Sequence, residues 1–180
     1  MKSFIAFLLL IVGTAGLHSQ SKKITKTGEI YFEASVPSFE EVAARNKSTT
    51  VVLNTETGEI AALALIKGFR FKIALMEEHF NENYMESNRY PKATFKGKIY
   101  GLDVNSLTES PKELSIKGIL DIHGKSKEIT IPAKVKKNSE GIEIVSNFSV
   151  NSDDFDIQIP KVVSKKVAKK VNINLDFVLK

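Results

Sequence analysis

The chain has no cysteine. That excludes a disulfide, an acylated amino-terminal cysteine, a thiolate nucleophile and a cysteine-based zinc site, so stability has to come from packing. Long hydrophobic runs are missing too. The apolar segment Phe4 to Val12 falls well short of the roughly 18 residues that suggest a membrane-spanning helix. With Met1-Lys2 before it and Gly13, Thr14, Ala15 and Gly16 after it, the segment reads as a secretory signal peptide. Gly13-Thr14-Ala15 has the small-x-small form of a cleavage site, and a cut nearer Ser19 or Gln20 is equally compatible. Residues 1–20 are set aside on this reading, and residues 21–180 are expected to form one domain in the periplasm or outside the cell.

Charge of one sign is scarce as well. Lysine and arginine number 26 against 21 acidic residues, a net +5 that affects solubility but is too weak to argue for nucleic acid, and no stacking-aromatic motif accompanies it. There are three histidines, and no spacing of His, Asp and Glu matches a metal motif such as paired histidines one helical turn apart. Asp153, Asp154 and Asp156 lack the glycine and distal glutamate of a calcium loop and read as a solvated strand end. No serine sits in a nucleophile elbow, and Glu77 and Glu78, being adjacent, point in different directions on a helix. Neither catalysis nor a metal or cofactor is expected.

What the chain does have is alternation. Ile30, Phe32, Ala34 and Val36 alternate with Tyr31, Glu33 and Ser35, the period of a half-buried strand. Pro37 ends it, and Ser38 with Glu41 three residues on suggests a capped helical turn through Ala44. Thr49–Thr55 and Glu59–Ile66 flank Glu56-Thr57-Gly58 as a hairpin. The second of these is apolar at every position from Ala61 to Ile66, which predicts cover on both faces, and Lys67-Gly68 suggests a bulge beyond it. After a polar loop over Gly101–Pro111, three further strands carry Leu114 to Ile122, Ile129 to Val135 and Ile142 to Val150, with turns at His123-Gly124 and Asn138 to Gly141. Pro132 points to an edge or bulge position in its strand. A short extension at residues 153–159, a basic connection at 161–170 and a last strand from Val171 to Leu179 complete the chain.

One segment breaks the pattern. Met76, Phe80 and Tyr84 recur every four residues, with Glu77, Glu78, Glu82 and Glu86 on most of the opposite side, so a short amphipathic helix is expected. Tyr90-Pro91 would stop it, and Ala93, Phe95, Gly97 and Ile99 return to strand periodicity. The sum is about eight strands, joined mostly by hairpins, which predicts an all-β antiparallel protein with one short capping helix. Pattern alone leaves a two-sheet sandwich and a single up-and-down barrel as equal alternatives, the barrel being just wide enough for one slender ligand.

Several motifs carry a resemblance: Glu78-His79-Phe80-Asn81, Tyr84-Met85-Glu86-Ser87, Tyr90-Pro91-Lys92-Ala93-Thr94-Phe95, Gly118 to Lys125 and Phe148 to Ile157. In this order and at about this spacing they resemble the YceI-like family, over most of residues 21–180. The resemblance implies a secreted, lipocalin-like antiparallel barrel, non-catalytic, whose tunnel holds a polyisoprenoid or another long-chain amphiphile, with helical segments near one end. The departure lies at Pro37–Ser48, where the family usually continues into a strand pair containing phenylalanine and glycine, and where the shape of one tunnel mouth would be set.

The residues proposed to contact such a ligand are Phe32, Phe71, Phe95, Ile116, Leu120, Ile131, Ile144, Phe148 and Phe177 along the lumen, with Met76, His79, Phe80 and Tyr84 at the mouth. A wall of this composition recognises an elongated apolar guest such as a polyisoprenoid, an isoprenoid quinone or a fatty-acyl chain, and each buried methylene contributes about 0.8 kcal/mol. His79 lies where a head group would sit. Lys161, Lys165, Lys166, Lys169 and Lys170, with Val163, Val167 and Val171 at helical spacing, offer a peripheral contact with an anionic membrane surface or a solvated connection. The competing reading is a barrel plugged by its own side chains, serving as an envelope structural or protein-interaction module.

Overall fold

The computed structural model describes residues 21–180, so the signal-peptide reading of 1–20 lies outside the described residues. Nine strands follow in chain order: β1 Lys22–Ser35, β2 Ala43–Asn54, β3 Glu59–Leu65, β4 Arg70–Phe71, β5 Lys92–Tyr100, β6 Lys112–Ile122, β7 Lys125–Asn138, β8 Gly141–Asn151 and β9 Val167–Leu179. Eight are long and one, β4, has two residues. Every pairing is antiparallel, and the sheet closes on itself because β1 pairs with both β9 and β2. The barrel wins over the sandwich for that reason: no long strand is left with an open edge.

The turns follow the local chemistry. Asn54 accepts from the amides of Glu56 and Thr57 through Oδ1, and Gly58 takes φ 74°, completing the β2–β3 hairpin. The β7–β8 turn repeats the device, with Asn138 Oδ1 accepting from Glu140 and Gly141. Pro132 pairs with Ser115 of β6, while the β7–β8 ladder runs only from Lys134 to Asn138. The missing amide therefore falls where β7 has left its other neighbour, as its lack of a donor requires.

Six local expectations are corrected. The stretch Ser38–Ala44 forms no helical turn: Ser38 takes φ 72°, incompatible with a cap, and the pairing of Ala43 with Glu33 draws β2 back to Ala43. Strand β3 is covered on one face only, since Leu65 is 54% exposed and Leu63 also faces outward; one wall of a barrel has an inside and an outside. Ile66–Gly68 is a 3-10 turn and no bulge. The helix ends at Met85, before Tyr90-Pro91, because Glu86 turns left-handed at φ 43°. Residues 153–159 hold a 3-10 turn, Ser152–Phe155, whose Phe155 is buried. The valines at 163, 167 and 171 have helical spacing but no helix, because Val167 already belongs to β9.

The interior divides into two halves. At one end Val51, Leu53, Ile99, Leu107, Ala133, Val135, Ile142 and Leu179 pack against one another as a solid core. The loop 101–111, expected as merely polar, adds Leu102, Val104 and Leu107 to this plug. At the other end, Phe32, Phe69, Phe71 and Phe80 meet with ring centroids 5.1 to 5.8 Å apart.

Candidate functional site

Between plug and rim lies a cavity of about 580 Å³. Its floor consists of Ile60, Ile116, Ile131, Ile144 and Phe177, which are at the same time the upper layer of the solid core. Alternation builds the wall: Ile30, Phe32 and Ala34 from β1, Ile60, Ala62 and Ala64 from β3, Leu120 and Ile122 from β6, Phe148 and Val150 from β8, and Val171, Ile173 and Leu175 from β9 all face the same space. Phe95 enters it from β5 because Gly97 and Gly118 stand opposite each other beside its ring; a Cβ on Gly97 would lie 2.8 Å from that ring, and one on Gly118 2.6 Å.

The segment over the opening begins with α1, Ala74–His79, and widens into a π-helical turn, Phe80–Tyr84, closed by the bond from the Met85 amide to the Phe80 carbonyl at 2.9 Å. That widening brings Met76, His79, Phe80, Tyr84 and Met85 together along the cavity. Phe80 stacks on Phe32 at 5.4 Å and anchors the segment to the β1 wall. Glu77 holds its start: one carboxylate oxygen accepts from Arg70 at 2.8 Å and the other from the Phe71 amide at 3.2 Å. Its far end is tied by His123, whose Nε2 lies 2.9 Å from Glu86 Oε2 and whose Nδ1 lies 3.1 Å from the Phe155 carbonyl. Gly124, at φ 71°, leaves room for Tyr90 against the same imidazole.

All thirteen residues named from the sequence border this one cavity. The rim contains others that were not named as ligand contacts from the sequence: Phe39, Glu40 and Val42 from the β1–β2 connection, Ile73 and Leu75 from the start of α1, and Ile157, Ile159, Val163 and Lys166 from the segment leading into β9. They lie in connections, where no repeat marks an inward side. Polar groups are few. Tyr84 is pushed above the ordinary phenol range by burial. Ser152, 5% exposed, carries a buried hydroxyl without a hydrogen-bond partner, and Glu40, His79 and Lys166 sit at the mouth. Asp153, Asp154 and Asp156 pair with Lys169, Lys127 and Lys125. Among the described residues, no group of three or more metal-ligating side chains comes together, and no helix is long and apolar enough to cross a membrane.

A half-hollow closed barrel with a helical segment at its open end can be compared with known families. The family model described as the YceI-like domain matches residues 15–179. The chain belongs to the YceI-like family. Solved structures agree at the level of fold. A polyisoprenoid-binding domain from Saccharophagus degradans, described as implicated in plant cell wall breakdown, is similar with a TM-score of 0.75 and 15% identity, covering 89% of this chain and 98% of that one. BcnA of Burkholderia cenocepacia is similar with a TM-score of 0.68 and 16% identity, over 83% and 94% of the two chains. The YceI protein of Campylobacter jejuni is similar with a TM-score of 0.57 and 18% identity, over 74% and 80%. No curated protein matches by sequence. The YceI-like barrel expected from the motifs is the barrel found.

Proposed function

We propose that this YceI-like protein is a non-catalytic, exported carrier that holds one long-chain apolar molecule in the upper half of its barrel. The observation that carries this reading is the 580 Å³ cavity, closed at the floor, open at the helical end and walled almost wholly by aliphatic and aromatic side chains. Its size falls within the roughly 300–1,000 Å³ of ligand pockets. At roughly 30 Å³ per water-sized group, the space takes on the order of twenty methylenes, or about four isoprene units. The likeness to a polyisoprenoid-binding domain supports an isoprenoid guest, with a fatty-acyl chain as its chemical equivalent, since hydrocarbon contacts discriminate poorly between the two. A head group would meet His79, Tyr84 and Lys166 at the opening. Organic extraction of the purified protein followed by mass spectrometry should release a long-chain lipid. If none copurifies and no long-chain compound raises the melting temperature, the carrier reading fails. A wholly filled module is disfavoured by the space above Phe177.

A further inference from the structure

Three connections meet at the open end, and each turns one large apolar side chain outward. Phe39, between β1 and β2, is 46% exposed; Leu75, in α1, is 56% exposed; and Val162, beside Val163 of the cavity wall, is 87% exposed. Phe39 and Leu75 also border the opening, so the apolar lining continues over the lip of the barrel instead of stopping at it. The same lip is basic. Residues 157–170 hold Lys161, Lys165, Lys166, Lys169 and Lys170 and no acidic residue. Lys169 is paired with Asp153, whereas Lys161, Lys165, Lys166 and Lys170 make no ion pair within the described residues. The opposing charges near the opening are Glu40 and Glu41 at the lip and Glu78 and Glu82 along the helical segment; Glu77 is neutralised by Arg70.

We propose that the open end of the barrel docks onto an anionic lipid bilayer, with Phe39, Leu75 and Val162 entering the interface and the 161–170 lysines meeting lipid phosphates. Separate apolar side chains with a row of lysine ammonium groups on flexible stems along one side of the lip match the boundary between acyl chains and anionic head groups. Each of the lysines Lys161, Lys165 and Lys166 is expected to strengthen attachment roughly fivefold at low salt, falling away as ions screen it. The choice of a bilayer over a protein partner rests in part on the carrier reading. Each methylene in water lowers the free concentration of a long chain roughly fourfold, so a guest of the size of this cavity is reached at a membrane and not in solution. The lip is placed where such a guest would cross from one apolar phase into the other.

The test is vesicle flotation of residues 21–180, which close the barrel on their own, without any added ligand. The protein should float with mixed phosphatidylglycerol–phosphatidylcholine vesicles and far less with phosphatidylcholine alone, and binding should weaken as salt rises from about 0.05 M to about 0.5 M. Replacing Lys161, Lys165 and Lys166 together by glutamine should weaken binding on the order of a hundredfold. The triple change Phe39→Ser, Leu75→Ser, Val162→Ser should weaken it at least about tenfold, and Val162→Ser alone, at the most exposed position, gives a variant that cannot disturb the core. Absence of flotation, or flotation indifferent to these changes, overturns the docking proposal. Lipid recovered by extraction from a protein that does not float would overturn docking and leave the carrier reading standing; flotation without extractable lipid would do the reverse.

Discussion

Gly97 and Gly118 face each other across the β5–β6 ladder, and the Phe95 ring occupies the space that their side chains would take. A Cβ on Gly118 would also meet the Lys96 carbonyl oxygen and the Gly97 Cα, so Gly118→Ala should displace the β5–β6 backbone as well as the ring and lower stability by about 1–3 kcal/mol in urea denaturation, although alanine suits a strand better than glycine does. Phe80 reports on the other end. It touches three other phenylalanine rings from a half-buried position, so Phe80→Ala is expected to cost about 2 kcal/mol, less than truncating a fully buried ring. On the outer wall Asp176 stands beside Glu29, and its carboxyl is raised above the ordinary 3.8 by burial, then by the charges of Glu143 and Glu29. The fold favours its protonated form. That contribution is fully present below the ordinary carboxylate value and is lost as pH rises through the raised one. Asp176→Asn should remove this acid-side contribution, so that stability measured by urea denaturation climbs more steeply from acid to neutral pH, and, allowing for solvent screening, gain about 0.3 kcal/mol near neutrality.

The segment from Ala74 to Tyr90 is held at separate points, which decides how it moves. Glu77 fixes its start to Arg70 and Phe71, Phe80 its middle to the ring cluster, and Glu86 its end to His123. Few backbone bonds tie it to the sheet, so it belongs to the less stable part of the molecule. His123→Ala should speed amide exchange over residues 80–90 while leaving β7 and β8 protected. Equal acceleration in both would mean that His123 supports the whole barrel and not this segment. The amphipathic period of the segment was legible in the sequence, and so was its service to the cavity. Its end at Met85 was not, because left-handed Glu86 is stabilised by partners such as His123, 37 positions away.

At the scale of the molecule, stability and binding occupy opposite ends of one bore. Ile99 lies in the solid end, in contact on all sides, whereas Leu120 faces the cavity. Ile99→Ala is expected to cost about 3–4 kcal/mol, and Leu120→Ala clearly less, because Leu120 already lacks partner atoms on one side. Binding should show the reverse order. Ala93→Phe, which fills part of the cavity, should reduce uptake of a long-chain fluorescent probe at least about tenfold while leaving the melting temperature within a few degrees. If filling the cavity leaves uptake unchanged, the probe binds elsewhere.

The long strands and their inward faces followed from the period-two alternation of apolar side chains, and Met76, His79, Phe80 and Tyr84 from the four-residue period of the helical segment, local properties that a segment carries by itself. Closure into a barrel did not, because alternation says which side is greasy and is silent on whether β1 meets β2 and β9 at once or one sheet lies over another. Nor could it show that Leu102, Val104 and Leu107 plug one end while the connections around Phe39, Leu75 and Val163 leave the other open. Loops have no repeat to read. Whether an apolar face meets a neighbour or an empty space depends on distances across the barrel, which only the closed sheet establishes.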